Sequence, residues 1–600
     1  MLISLFLFFS SILVIPACSF SAPTPLTHPI SIPTSPIPDQ KPGTSGLRKK
    51  TKHFLTTPLY LENFIQSYLT TLPSSPPPSI LICSDGRYGS EAAMDRITSV
   101  LAGNDIPQIH LPVGGIMSTP AASAYIRCPS NSCNAAIILT ASHNPGGPEG
   151  DFGVKFNGRR GEPVDEAFTD RVYENTGRIE RVLTTVNAAQ GRGNFVNHAG
   201  MATYQPMIDD DLRVEDILFC KVGTKFVVAN TESVLTVVDP FADYIELLRG
   251  EFDFEKIGAL LESENFNMVF DGMHGAGGPF ARRVFQLLSS TTTSNVDLIR
   301  CNPLPDFGGI HPDPNLKYAE GLVERMMAGG TAFGAANDGD GDRNMILGDG
   351  IFVTPSDSLA IIAANADKIL GFARRGGLKG VARSMPTSAA LDVVAKRLKI
   401  PLFETPTGWK FFGNLMDSKE VFGKEDYVPF LCGEESFGTG SSHIREKDGL
   451  WAVLAWLSIL AENPSKTVQE VVTDHWKVYG RHLYCRYDYE NVGSDGANKL
   501  MEHLRGLDKV EEFSYVDPVD GSVSSRQGLI LRFSDCERAV FRLSGTGSEG
   551  ATVRVYLERF EEGGGDWGDA IEALEGLGDK AIAISKLEVF VGRSEPTVRT

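Results

Sequence analysis

From Gly43 onward, apolar runs of strand length alternate with helix-like stretches, a pattern of α/β units built on largely buried sheets. Ser79-Ile80-Leu81-Ile82-Cys83 runs into Ser84-Asp85-Gly86, Ala135-Ala136-Ile137-Ile138-Leu139 into Thr140, and Asn267-Met268-Val269-Phe270 into Asp271-Gly272. Each run stops at a Gly- or Asp-rich turn. In open α/β sheets ligands sit beyond the carboxyl ends of the strands, so chemistry is expected at those turns. Residues 186–229 are polar and weakly periodic and read as a surface excursion ahead of Thr236-Val237-Val238-Asp239. Further breaks fall near Gly348-Asp349-Gly350 and Asn463-Pro464-Ser465. The expected division is a leader over 1–42 and four bodies at 43–230, 231–350, 351–465 and 466–600. No fixed-period repeat and no low-complexity segment follows the leader.

Residues 1–17, MLISLFLFFSSILVIPA, are apolar and uncharged, and a Ser/Thr/Pro-rich stretch follows with no acidic residue before Asp39 and no Lys or Arg before Lys41. This looks like a signal-peptide core without the usual positive n-region. The junction Ala17-Cys18-Ser19-Phe20 resembles the bipartite plastid leaders of algae with secondary plastids. The plastid stroma is therefore the expected location, with the cytoplasm as alternative. Asn463-Pro464-Ser465 is the nearest approach to a glycosylation acceptor, which counts against secretion. No later segment approaches about 18 uninterrupted apolar residues, so no membrane contact is expected once the leader is removed.

With 600 residues the chain is long enough for about three to five domains. Its 56 Lys+Arg against 75 Asp+Glu leave a net charge of −19, which makes nucleic-acid binding by bulk charge a poor fit. An anionic ligand must then be held by a few placed cations and backbone N–H groups. Nine cysteines without a CxxC pair read as reduced thiols.

Four clusters carry candidate chemistry. In Thr140-Ala141-Ser142-His143-Asn144-Pro145-Gly146-Gly147 a hydroxyl stands on a Gly-rich turn at a strand end, with His143 beside it and Lys155 twelve residues on from His143. A capping serine in an ordinary turn would look the same. In Asp338-Gly339-Asp340-Gly341-Asp342-Arg343, glycines between three carboxylates let hard oxygens converge on one divalent cation. An EF-hand is excluded, because Arg343 and Asp349 stand where Gly and Glu are needed. The loop Gly433-Glu434-Glu435-Ser436-Phe437-Gly438, flanked by Thr407-Gly408 and Lys447, offers carboxylates and hydroxyls to a polyhydroxylated ligand. Finally, Arg542-Leu543-Ser544-Gly545-Thr546-Gly547 precedes Ala551-Thr552-Val553-Arg554-Val555-Tyr556, which alternates like a strand. A dinucleotide fingerprint requires a helix there, so a phosphate cradle is the better reading.

Together with Gly43-Thr44-Ser45-Gly46-Leu47-Arg48, Gly114-Gly115-Ile116-Met117-Ser118-Thr119-Pro120 and His311-Pro312-Asp313-Pro314-Asn315, these clusters resemble the α-D-phosphohexomutase superfamily, and within it the eukaryotic-type phosphoglucomutases. The resemblance implies an α/β fold of four domains around a central cleft, three similar mixed α/β units and a C-terminal α+β lid. It implies that Ser142 carries a phosphoryl group and that Asp338, Asp340 and Asp342 bind Mg²⁺ alongside the oxygen on Ser142. Arg48, His143, Lys155 and Lys447 match the catalytic basic residues. Arg343, Thr407, Gly408, Glu434 and Ser436 match positions at the sugar phosphate, and Arg542, Ser544, Thr546 and Arg554 match a distal phosphate site.

The implied reaction interconverts glucose 1-phosphate and glucose 6-phosphate through glucose 1,6-bisphosphate, intermediate and activator, with Lys155 or His143 as general base. A phosphomannomutase or a glucose 1,6-bisphosphate synthase is the alternative within the superfamily, and a non-catalytic scaffold the one outside it. Small-molecule sugar phosphates are the expected partners, for a monomer or weak dimer. Asn337, where an apolar aromatic usually stands, and the insertion near 186–229 depart from the pattern.

Overall fold

The computed structural model describes residues 29–43, 46–73, 78–185, 195–198, 214–228, 231–289, 295–544, 551–563 and 568–600. Four main sheets organise it. The first has eight strands, in the spatial order Leu47–Lys50, Asp151–Asn157, Ala135–Leu139, Ser79–Ser84, Gln108–Pro112, Val234–Val238, Lys225–Val228 and Phe195–His198. Its four middle strands run parallel and its flanks antiparallel. Ser79–Ser84 and Ala135–Leu139 are buried at every position, which is why they appear in the sequence as unbroken apolar runs.

The second sheet, Val296–Ile299, Met268–Asp271, Phe333–Asn337, Asn344–Gly348 and Ile351–Val353, and the third, Leu402–Thr405, Gly380–Ser384, Phe430–Glu434 and Gly438–Ser441, repeat the plan of parallel strands closed by an antiparallel hairpin. The fourth sheet is antiparallel, six-stranded and backed by the helices Ser494–Arg505 and Ala570–Ser585. The expected α/β architecture with a C-terminal α+β domain is the one observed. One continuous apolar core links the first three sheets through the almost wholly buried helix Gly449–Glu462. The fourth has a core of its own.

Three expectations need correction. The stretch 29–42, assigned to the leader, is folded: Ile30–Pro33 pairs with Arg181–Thr184, and buried Gln40 donates to the Tyr60 carbonyl at 2.6 Å. The polar excursion contributes Phe195–His198 and Lys225–Val228 to the first sheet, which thus reaches Val238 rather than ending at 230. Ile351–Val353 completes the second sheet across the expected break at 350, and helix Val468–Tyr479 packs into the shared core, so the fourth sheet begins at Arg481 rather than 466. In each case a hairpin or packing partner, invisible to local composition, carries the body past a polar turn.

Candidate active site

Each of the four chemical clusters lies on the connection between two antiparallel strands of its own sheet. Residues 140–150 join Ala135–Leu139 to Asp151–Asn157, 338–343 join Phe333–Asn337 to Asn344–Gly348, and 435–437 join Phe430–Glu434 to Gly438–Ser441. The fourth joins Glu537–Ser544 to Ala551–Glu561; Thr546 and the side chain of Ser544 lie outside the described residues. The first three connections, with Arg542, Leu543 and Arg554 of the fourth sheet, line a cleft of about 300 Å³.

Ser142 takes a left-handed backbone (φ +55°), a strained choice for a residue with a side chain. Its N–H donates to Thr140 Oγ1 at 2.7 Å and its carbonyl accepts from Arg87 Nη2 at 3.1 Å. The turn is thereby held with Ser142 Oγ 3.1 Å from Asp338 Oδ2, across 196 residues of sequence, and 3.3 Å from His143 Nδ1. Pairing places Lys155 opposite Ile138 and Arg48 opposite Gly153, so both cations flank the same turn.

One carboxylate oxygen from each of Asp338, Asp340 and Asp342 lies within 4.8 Å of the other two, all three side chains buried. Burial, then the Asp340 and Asp342 carboxylates, push the Asp338 carboxyl well above its usual range. Burial also works upward on Asp340, but Lys155, Lys447 and the Thr119 hydroxyl, 2.8 Å away, hold it below. Asp340 Oδ1 and Asp342 Oδ1 are buried with no hydrogen-bond partner among the described residues. Orphaned carboxylate oxygens converging at this distance are the donor set of a hard divalent cation, so the residues present fit Mg²⁺. The loop is closed by Arg343 N–H donating to Asp338 Oδ1 at 3.0 Å and by Asn337 Nδ2 donating to the Arg343 carbonyl at 2.7 Å. Asn337 thus secures the end of the loop.

The cations around this centre are held by carboxylates. Lys155 pairs with Glu446 at 2.5 Å, Lys447 with Asp342 at 3.1 Å, and Arg343 with Asp313 at 2.8 Å. Burial alone would lower the Lys447 ammonium, but Asp342 and Glu434 outweigh it and raise its pKa. Burial, and next the Arg343 and Arg48 charges, drive the His143 imidazole well below its normal value and keep it neutral. Burial brings Arg48 down to about 10, and its Nε and Nη1 have no hydrogen-bond partner among the described residues.

At the far side, Glu434, raised chiefly by burial, accepts the Gly408 N–H at 2.8 Å, and Ser436 lines the cleft beside it. Gly408 adopts φ +134°, a conformation side chains disfavour, and the neighbouring Thr407 hydroxyl is buried without a partner among the described residues. Arg542 and Arg554 close the cleft from the fourth sheet. Nine cationic side chains and four carboxylates line it, a local positive excess in a chain of net charge −19. Such a cleft selects anions.

The structure therefore gathers Arg48, Ser142, His143, Lys155, Asp340, Asp342, Arg343, Thr407, Gly408, Glu434, Ser436, Lys447, Arg542 and Arg554 around one space, with Asp338 buried beneath it. Sequence reading missed Arg87 and assigned no role to Thr119, Asp313 or Glu446, because all four act through distant partners. It also passed over the Asp85 of Ser84-Asp85-Gly86, whose place in a strand-end turn was the available signal.

The chain matches family models described as phosphoglucomutase/phosphomannomutase alpha/beta/alpha domains I, II and III at residues 39–182, 242–350 and 355–479. A phosphoglucomutase-1 C-terminal domain model matches at 505–597. It is 46% identical to a cytoplasmic phosphoglucomutase of Mesembryanthemum crystallinum and 47% identical to that of Pisum sativum, over 95% of this chain and 99% of each relative. Among solved structures it resembles the open form of pp63/parafusin, a Paramecium phosphoglucomutase, with a TM-score of 0.80, 46% identity and coverage of 96% of this chain and 99% of that one. The plastid expectation is overturned here: relatives similar over nearly the whole chain are named cytoplasmic, although a chloroplastic protein of Marchantia polymorpha also matches at 46%. The expectation rested on a leader of which residues 1–28 lie outside the described residues and 30–33 belong to a folded strand.

Proposed function

Since the chain belongs to the phosphoglucomutase/phosphomannomutase family, we propose that it is a phosphoglucomutase, an intramolecular phosphotransferase that interconverts glucose 1-phosphate and glucose 6-phosphate by way of a phosphoryl group on Ser142. The observation that carries this reading is Ser142 Oγ standing 3.1 Å from Asp338 at the edge of a buried three-carboxylate cluster, inside a cation-rich cleft.

The free hydroxyl of the sugar attacks phosphorus, the bond from phosphorus to Ser142 Oγ breaks, and glucose 1,6-bisphosphate forms. The hydroxyl proton passes to the neutral His143 imidazole, or to Lys155 once its ammonium has given a proton to Glu446. The bisphosphate then turns end for end and its other phosphoryl group returns to Ser142. Asp338, Asp340 and Asp342 would hold Mg²⁺ with an oxygen on Ser142, where the bound ion supplies neutralisation of phosphoryl charge. Arg48, Arg343 and Lys447 sit where they attract the transferring group's oxygens. Glu434, Ser436, Thr407 and Gly408 hold the ring in either orientation, and Arg542 and Arg554, with Ser544 and Thr546, hold the phosphate that is not reacting. Closure of the fourth domain over this cleft would keep water from the phosphoserine.

Ser142→Ala is expected to abolish isomerisation of glucose 1-phosphate and to remove the phosphoryl mass that intact-mass analysis should find on the active protein. An active, unphosphorylated variant would end the proposal. Comparing kcat/KM for glucose 1-phosphate and mannose 1-phosphate tests the sugar preference; the Glu434–Ser436 loop is expected to favour glucose.

A further inference from the structure

Glu435 lies between two proposed sugar contacts yet does not line the cleft. Its carboxylate is buried under the junction of the third and fourth sheets, where three donors reach it. Ser384 Oγ donates to Oε2 at 2.6 Å, Tyr556 OH donates to Oε1 at 3.0 Å, and Arg542 Nη1 stands 3.4 Å from Oε1. Burial pushes this carboxyl upward, but the Arg542 charge and the Ser384 bond hold it below the usual range, so it stays ionised.

The need for such a carboxylate follows from the strand pairing. Arg542 and Arg554 are directly opposite in the antiparallel ladder between Glu537–Ser544 and Ala551–Glu561. Like charges in facing positions repel and, left to themselves, splay apart. Each arginine has its own buried counter-charge: Arg554 Nε lies 3.5 Å from Asp488, while Arg542 has Glu435, supplied by the other domain. Glu435 and Tyr556 engage Nη1, and no contact among the described residues occupies the Arg542 Nε and Nη2 N–H groups. One edge of the guanidinium is anchored, and the other remains for a bidentate contact to a phosphate.

We infer that Glu435 is a positioning residue that aims Arg542 into the cleft, so that the sugar loop of the third sheet sets where the phosphate anchor of the fourth stands. This rests on the reading of Arg542 as a phosphate contact. It adds a coupling: residue 434 senses the ring, residue 435 holds the arm that senses the phosphate, and the two cannot move independently.

The test is a double-mutant cycle on glucose 1-phosphate binding, measured by calorimetry in the full-length wild type, Glu435→Gln, Arg542→Met and the double variant. Loss of a charge-assisted contact is expected to weaken binding about tenfold in each single variant. Because Glu435 acts through Arg542, the double variant should bind no more weakly than Arg542→Met. Tyr556→Phe, which removes one donor to Glu435 and keeps the ring, should weaken binding by a smaller factor in a normally folded protein. Wild-type affinity in Glu435→Gln with Arg542→Met impaired, or losses that multiply in the double variant, would overturn the inference. Turnover in the same samples separates the two claims: a wild type that binds but does not isomerise the sugar refutes the mutase and leaves the coupling intact, while a wild type that does not bind refutes both.

Discussion

Gly339 shows how much of the centre depends on a missing side chain. A Cβ there would stand 2.6 Å from the Ser142 carbonyl oxygen and 3.2 Å from the Phe307 ring. That carbonyl accepts from Arg87, and the overlap would be relieved by a shift of the serine turn away from Asp338. A displacement of about 1 Å at a reacting centre can cost about 100-fold in rate. Gly339→Ala is expected to lose activity on that scale while unfolding near the wild-type temperature, as paired kinetic and thermal measurements will show. His110 offers a different test. Its ring is buried between Ser79 Oγ at 2.9 Å and Tyr125 OH at 2.7 Å, and burial, with Lys225 adding a little, lowers it from 6.5 to about 4. Between those values the unfolded chain holds a proton that the folded chain rejects, so stability falls as pH is lowered from 6.5 towards 4, by on the order of 3 kcal/mol. Denaturant titrations across that window should show the loss, and His110→Gln should flatten it.

At the scale of elements, the turn after Ser79–Ser84 and both ends of the 140–150 connection are fastened together by one buried ion pair. Arg87 contacts Asp85 through Nε and Nη2, donates from Nη1 to the Asp151 carbonyl at 2.6 Å, and reaches the Ser142 carbonyl, while Asp85 Oδ2 accepts the Thr140 hydroxyl at 2.6 Å. Replacing Arg87 by Met would strand the Asp85 carboxylate without its counter-charge. A destabilisation of about 3–5 kcal/mol is expected in urea unfolding, more than an exposed salt bridge could account for. The strand runs and the Ser142, Asp338 and Glu434 loops were legible in the sequence because wholly buried strands are continuously apolar and their ends are marked by Gly and Asp. Arg87 was not, since its partners at 142 and 151 meet it only when the strands are side by side. Nor were the contacts of Thr119, whose hydroxyl bonds Asp340 across 221 residues, or of Glu446, which Asn157 reaches across 289. Domain limits were misread for a related reason: the polar turns at 230, 350 and 465 look like linkers, and only the pairing of the next strand or the packing of the next helix shows that the body continues.

At the scale of the molecule, the first three domains share one apolar core, whereas the fourth meets them through polar contacts, a small cluster of Met385, Tyr484, Ile530, Val540 and Tyr556, and the packing of Tyr515 and Val519 on Phe411 and Phe412. At the centre of that junction is Glu558, which accepts from the Ala389 N–H at 2.8 Å and Arg538 Nε at 2.6 Å and lies 2.7 Å from His482 Nδ1. Burial acts to raise this carboxyl, but Arg538 and His482 prevail and hold it far below the usual glutamate range. A depressed carboxyl contributes its stability fully above the unfolded-state value of 4.5 and loses it as pH falls toward the folded value. The first three domains also lose the His110 contribution, but they share one apolar core that does not titrate, so acid should loosen the junction of the fourth domain first. Hydrogen exchange followed as pH is lowered through 4.5 is expected to show protection vanishing in Arg481–Val492 and Ala551–Glu561 while the strands Ser79–Ser84 and Phe333–Asn337 stay protected. Glu558→Gln should lower the stability of this domain at neutral pH and remove the acid step, because the group that titrates is gone. Simultaneous loss of protection in all four domains would mean that the junction is not the weak seam its chemistry makes it.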